Sequence, residues 1–249
     1  MEFFEGRMLA VVMVLTRVSA FLMSAPIFSW IAIPIRVKIA IAFLTSFFFA
    51  MITPATAPVD SILSVILLIA NEVIYGIALG IATTMLYSVV KMSGRIAERQ
   101  MGMAMAESMD PFTGDRAQPI GMLMEILFLM MLLSIDTHHL FLRTIARSFE
   151  IFEPGTIPEL SVLVKGIILA GSMMLTMALK LAVPIMGVFM VMTVVLGVLA
   201  RVAPEMNIFF LSFPVRIGLG LIMIIYLVPY INSYTQEFAK LLSKLLPLA

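Results

Sequence analysis

LSVLVKGIILAGSMMLTMALKLAVPIMGVFMVMTVVLGVLA, residues 160–200, holds only Lys165 and Lys180 as charges in an otherwise apolar run. As one straight helix it would reach about 60 Å, against a bilayer hydrocarbon core of about 30 Å. Short alternating strands, the mark of a β-barrel, are absent from it, and lipid otherwise requires backbone hydrogen bonds to close within the segment. Pro184 and Gly187 offer a kink inside it. The segment reads as a membrane-type helix that tilts, bends or leaves lipid for protein or water.

The rest of the chain repeats this pattern. Arg17 is the only charge from Met8 to Ile35, none lies between Ile39 and Val59, and Glu72 stands alone from Ser61 to Val90. Glu125 and Asp136 interrupt Ala117–Leu142, and Arg216 interrupts Met206–Gln236. Together with the opening stretch these make about six long apolar helices, an all-α membrane class. Ile208–Leu246 is also overlong and carries Pro214 and Pro229. Arg201-Val-Ala-Pro-Glu-Met-Asn207 is a polar turn between two long arms, so the C-terminal part reads as one long helical hairpin.

Composition agrees. Of 249 residues, 62% are apolar and 12% charged, and the mean hydropathy is +1.11. A soluble globule of this size cannot hide so much apolar surface. Disorder requires the opposite composition. A net charge of +1 excludes an electrostatic nucleic-acid binder. With no cysteine, there are no disulfides, thiolate metal sites or thiol nucleophiles. The first seven residues carry Glu2, Glu5 and Arg7, unlike a secretory signal, so the first apolar segment is read as part of the mature protein. Counting Lys and Arg in alternate loops gives Arg36, Lys38, Lys91, Arg95, Arg99, Arg116 and Arg201 on one side. The other side has Arg7, Arg143, Arg147, Lys165, Lys240 and Lys244. Such balance lacks the usual positive-inside bias, as befits a subunit buried in a larger assembly.

Four charges sit within apolar segments: Arg17, Glu72, Lys180 and Arg216. Their cost in lipid points to a polar pathway or to pairing during assembly, with snorkelling or a structural ion pair as the plainer reading. Gly76-Ile-Ala-Leu-Gly80 permits close helix approach. Lys91–Gly121 reads as the central loop. It holds Met101, Met103, Met105 and Met109, then Asp110-Pro111-Phe112-Thr-Gly114, a turn sequence. Methionine suits a surface that repacks around varied partners, so the loop is either a compliant closure or a connector. Asp136-Thr-His-His139 resembles a metal site only superficially, because adjacent histidines do not share a helix face. No catalytic triad, phosphate-binding loop or nucleophile elbow occurs, so neither an enzyme nor a cofactor is expected.

Three stretches carry a family resemblance: Glu107–Gly114, Asp136–Phe149 followed by Pro154-Gly155, and Arg201–Gly218. With length and hydropathy, they resemble the FliR family of flagellar type III export-gate proteins and their injectisome counterparts. The resemblance implies a structural subunit of a protein-conducting channel for unfolded flagellar proteins, set in the bacterial inner membrane at the flagellar basal body. Its implied partners are FliP-like and FliQ-like subunits in a helical cone, FlhB around it and FlhA beside it, with membrane lipid and exported chains. It further implies that residues 1–150, including the loop 91–121, form a FliP-like part and residues 151–249 a FliQ-like hairpin. Met101, Met103, Met105, Met109, Asp110, Pro111, Phe112 and Gly114 would then plug the pore. Arg201, Pro204, Glu205 and Asn207 would form the hairpin tip, towards FlhB. A secondary transporter of small solutes is the alternative, served by intramembrane charges and Pro-broken helices.

Overall fold

The computed structural model describes residues 2–26, 34–53, 61–103, 118–136, 138–156 and 160–244. Among the described residues there are seven helices and no strand: α1 (Glu2–Ser24), α2 (Ile35–Ile52), α3 (Ile62–Met101), α4 (Pro119–Ser134), α5 (His138–Ile151), α6 (Leu160–Val202) and α7 (Ile208–Lys244). Five are long and apolar enough to cross a membrane, and α4 with α5 pass the same test as a broken pair. The all-α membrane class expected from the sequence is the class observed.

Local chemistry explains the ends. Pro34 is the cap of α2, and its carbonyl accepts from Val37 N at 3.0 Å and Lys38 N at 3.3 Å. At the other end Thr53 donates from both its amide (2.9 Å) and its hydroxyl (2.7 Å) to Phe49 O. Pro119 opens α4, where its missing amide costs nothing. The helix α6 runs 43 residues and α7 runs 37, each through its internal prolines. At 1.5 Å per residue, α6 is about 64 Å long and α3, with 40 residues, about 60 Å.

The central loop is shorter than the sequence reading has it. Residues 91–101 are helical, and the loop expected from Lys91 begins only after Met101. Two of the charges there, Arg95 and Arg99, mark the outer face of an amphipathic helix, while Glu98 is buried. Arg95 and Arg99 are exposed, whereas Val90, Ser93, Ala97 and Met101 turn inward at three- and four-residue spacing. The far end of the expected loop, Pro119–Gly121, is likewise the first turn of α4.

The chain forms two compact units. The first comprises residues 1–87, 136–173 and 238–249. Here α1 buries Met13, Val14, Arg17, Val18 and Phe21, and α2, which packs against α1, buries a stripe of small residues, Ala42, Ser46 and Ala50. Phe141 of α5 meets Phe238 of α7 at 6.2 Å between ring centroids. The second unit comprises residues 88–135 and 174–237. Its core includes Met124, Phe128, Ala182, Ile185, Phe189 and Leu227, with Phe128 stacked at 5.6 Å from Tyr234.

Candidate functional site

Three local arrangements collect the residues that stand out chemically. The first is a buried ionic centre in the first unit. Arg17 on α1 faces Glu72 on α3, with Nε to Oε2 at 2.5 Å and Nη2 to Oε1 at 3.1 Å. Their side chains are 1% and 0% exposed. Arg17 Nη1 also donates to the carbonyls of Ser148 (3.0 Å) and Phe152 (2.9 Å). The guanidinium lies 4.8 Å from the Tyr75 ring and 4.4 Å from the Phe149 ring. The Glu72 carboxylate accepts a third bond, at Oε1 from Gly155 N at 3.1 Å. Gly155 has φ +88°, a backbone state open to glycine, and this aims its N–H at the carboxylate. A charge-pair centre with its remaining donors and acceptors occupied is the form in which burial is tolerable. It ties α1, α3 and α5 to the turn that follows α5.

Glycines let those helices meet. A Cβ on Gly76 would stand 2.5 Å from Arg17 O and 2.6 Å from Ala20 Cβ, and one on Gly80 would overlap the Ser24 hydroxyl. Thr84 adds a hydroxyl bond to Ser24 O at 2.7 Å. The Gly76–Gly80 pair therefore serves contact between α1 and α3 of this same chain.

The second arrangement, in the second unit, is the C-terminal end of α3. Met103 N donates to Glu98 O (3.3 Å) and Gly102 N to Arg99 O (3.1 Å), with Gly102 at φ +80°. This is a Schellman cap. Arg216 of α7, half-buried, donates to the next free carbonyl, Gln100 O, at 3.2 Å. One turn further along α7, Gly220 receives Met101: a Cβ there would meet three Met101 side-chain atoms at 2.5–2.6 Å. Met101 is fully buried in this seat and Met103 is half-buried. Met105, Met109, Asp110, Pro111, Phe112 and Gly114 lie outside the described residues.

The third is the turn between α6 and α7. Arg201, Pro204, Glu205 and Asn207 are all exposed there. Ala203 N closes α6 on Leu199 O at 2.9 Å, and Asn207 caps α7 through Oδ1 to Phe210 N at 3.3 Å.

The remaining charges divide. Lys180 is exposed on α6. Glu125 pairs with Lys91 at 2.7 Å in a half-exposed position. Asp136 is exposed with φ +54°, marking the break between α4 and α5. Among the described residues, no group of three His, Asp or Glu side chains could hold a metal ion. The sequence reading missed Ser148, Phe152 and Gly155 as partners of Arg17, and Gly220 as the seat of Met101. Of these, only Gly155 and Ser148 lie in a stretch that carries the family resemblance.

Extensive apolar faces stay open. Phe43 and Phe48 on α2 are 61% and 63% exposed, and Val194 and Val198 on α6 are 62% and 60% exposed. Patches of this extent mark contact with protein or lipid.

A family model described as bacterial export proteins, family 1, matches residues 8–242. The flagellar biosynthetic protein FliR of Pectobacterium carotovorum subsp. carotovorum is 30% identical over 222 residues, covering 89% of this chain and 85% of that protein. The FliR protein of Escherichia coli strain K12 is 29% identical over 224 residues, covering 90% and 85%. The FliR protein of Bacillus subtilis strain 168 is 28% identical over 221 residues, covering 87% and 85%.

Proposed function

The chain belongs to the bacterial export proteins, family 1, and on that premise we propose that it is a structural, non-enzymatic subunit of the flagellar type III export gate. In this reading it forms part of a channel for unfolded flagellar proteins, in the bacterial inner membrane at the flagellar basal body. The observation that supports it best is the mismatch between helix length and bilayer. The helix α6 is about twice as long as a hydrocarbon core is thick, yet its apolar surface stays exposed along its length. Surface of that kind outside lipid has to be covered by protein, and its burial drives association.

The covering subunits are FliP-like and FliQ-like, with residues 1–150 acting as the FliP-like part and residues 151–249 as the FliQ-like hairpin. FlhB meets the turn at Arg201, Pro204, Glu205 and Asn207, and FlhA stands beside the assembly. The segment that starts at Met101 and Met103 closes the resting pore. The Arg216–Gln100 bond and the Met101–Gly220 seat hold the root of that segment.

Coexpression with FliP-like and FliQ-like partners, extraction in mild detergent and weighing of the particle test this. A single large hetero-oligomer is expected, with little of the chain accumulating without partners. A stable monomer or symmetric dimer that ignores those partners would overturn the proposal and return the solute-transporter reading.

A further inference from the structure

In the first unit a cleft of roughly 190 Å³ runs between α1 and α2. That exceeds the ~150 Å³ of an engineered apolar cavity that takes up benzene. Leu15, Leu22 and Met23 of α1 form one wall, and Ile39 and Phe43 of α2 form the other. Ser19 also lines it, but its hydroxyl is spent on Leu15 O at 2.5 Å. One ionic group enters this apolar surface, Lys38, in the first turn of α2. Lys38 is half-buried, and no carboxylate stands within ion-pair distance of it among the described residues. The same turn carries Arg36 and no acid. The positive end of the helix dipole adds to the field there.

We infer that this cleft binds an anionic phospholipid, its phosphate on the Lys38 ammonium and the start of one acyl chain along Ile39, Phe43 and Leu15. The combination of groups selects this occupant. A free phosphate would gain nothing from the apolar walls. An apolar helix laid in the cleft would leave the Lys38 charge desolvated without a counter-ion, which is costly. An anionic lipid supplies both the charge and the chain, and both walls belong to helices apolar enough to lie in a membrane. Basic pockets between membrane helices bind anionic headgroups in this way. Lys38 is set in the wall of the cleft, whereas Lys180 of α6 is exposed.

The test uses the coexpressed, detergent-purified assembly. Native mass spectrometry follows retention of phosphatidylglycerol against phosphatidylethanolamine, and a photoreactive residue at Phe43 reports what occupies the cleft. A phosphatidylglycerol adduct is expected in preference to phosphatidylethanolamine. Lys38→Glu should bind it about tenfold or more weakly, while Lys38→Arg retains it. If Lys38→Glu does not assemble, Lys38→Gln and the comparison of the two lipids on the unaltered chain decide the question. Equal retention of both lipids, indifference to Lys38, or photocapture of a partner polypeptide would each overturn the inference. The particle mass is read in the same experiment, so an intact assembly without lipid refutes this site alone and leaves the proposed function standing.

Discussion

Replacing Glu72 by alanine removes one half of the buried ionic centre and leaves the other half in place. Arg17 would lose two bonds to the carboxylate, and Gly155 N would lose its acceptor. The guanidinium keeps two carbonyls and two ring faces but no counter-charge. Both side chains are at most 1% exposed, so solvent screening gives no relief. Breaking a buried pair from one side costs about 3–5 kcal/mol, a large share of the ~5–15 kcal/mol that holds a typical domain folded. For a chain of this length that corresponds to a fall on the order of 10 °C in melting temperature. The assay is thermal stability and yield of the coexpressed assembly in detergent, with exposed Glu150→Ala as the control. Glu72→Gln, which can still accept from Gly155, should fall between. The double replacement Arg17→Met with Glu72→Leu should recover most of the loss, because an apolar pair removes the orphaned charge. If Glu72→Ala melts with the control, or the double variant loses as much as the two single variants added together, the ionic-centre reasoning is wrong.

Gly76→Leu should abolish accumulation by forcing α1 off α3, whereas Gly187→Ala, with nothing within 4 Å of its Cβ, should accumulate normally; immunoblots of the two variants check this. Gly220→Ala should lower the melting temperature by displacing Met101, and adding Met101→Ala should restore part of it by vacating the seat. Glu125→Ala should cost under about 1 kcal/mol, because its pair with Lys91 is solvent-accessible, and the melting temperature should stay within a few degrees of the parent.

The helices were legible because apolar runs and their punctuation by charge and proline are local properties. Gly76–Gly80 was legible for the same reason, although its partner helix was not. Arg17 and Glu72 were each recognisable as costly, but 55 residues separate them and no local pattern links them. Lys180 had the same sequence signature as Arg17, yet it faces outward, since hydropathy alone does not say which side of an all-apolar helix is covered. Lys91–Met101 is helical despite its four charges, because the inward stripe of Val90, Ala97 and Met101 outweighs them. Gly220 carries no signature of its own, because its role depends on a methionine more than a hundred positions earlier.

The separation of Arg17 from its partners also has a meaning in time. Translation delivers about 5–20 residues per second, so Glu72 follows Arg17 by about 3–11 s, and Phe152, 135 residues on, by about 7–27 s. Throughout that interval α1 holds an uncompensated cation, which insertion scales charge at about 2.5–3.5 kcal/mol near a helix centre. The first helix therefore carries the full cost of its charge while the chain is being made. The counter-charge arrives with α3, and the last carbonyl acceptor arrives with the turn after α5.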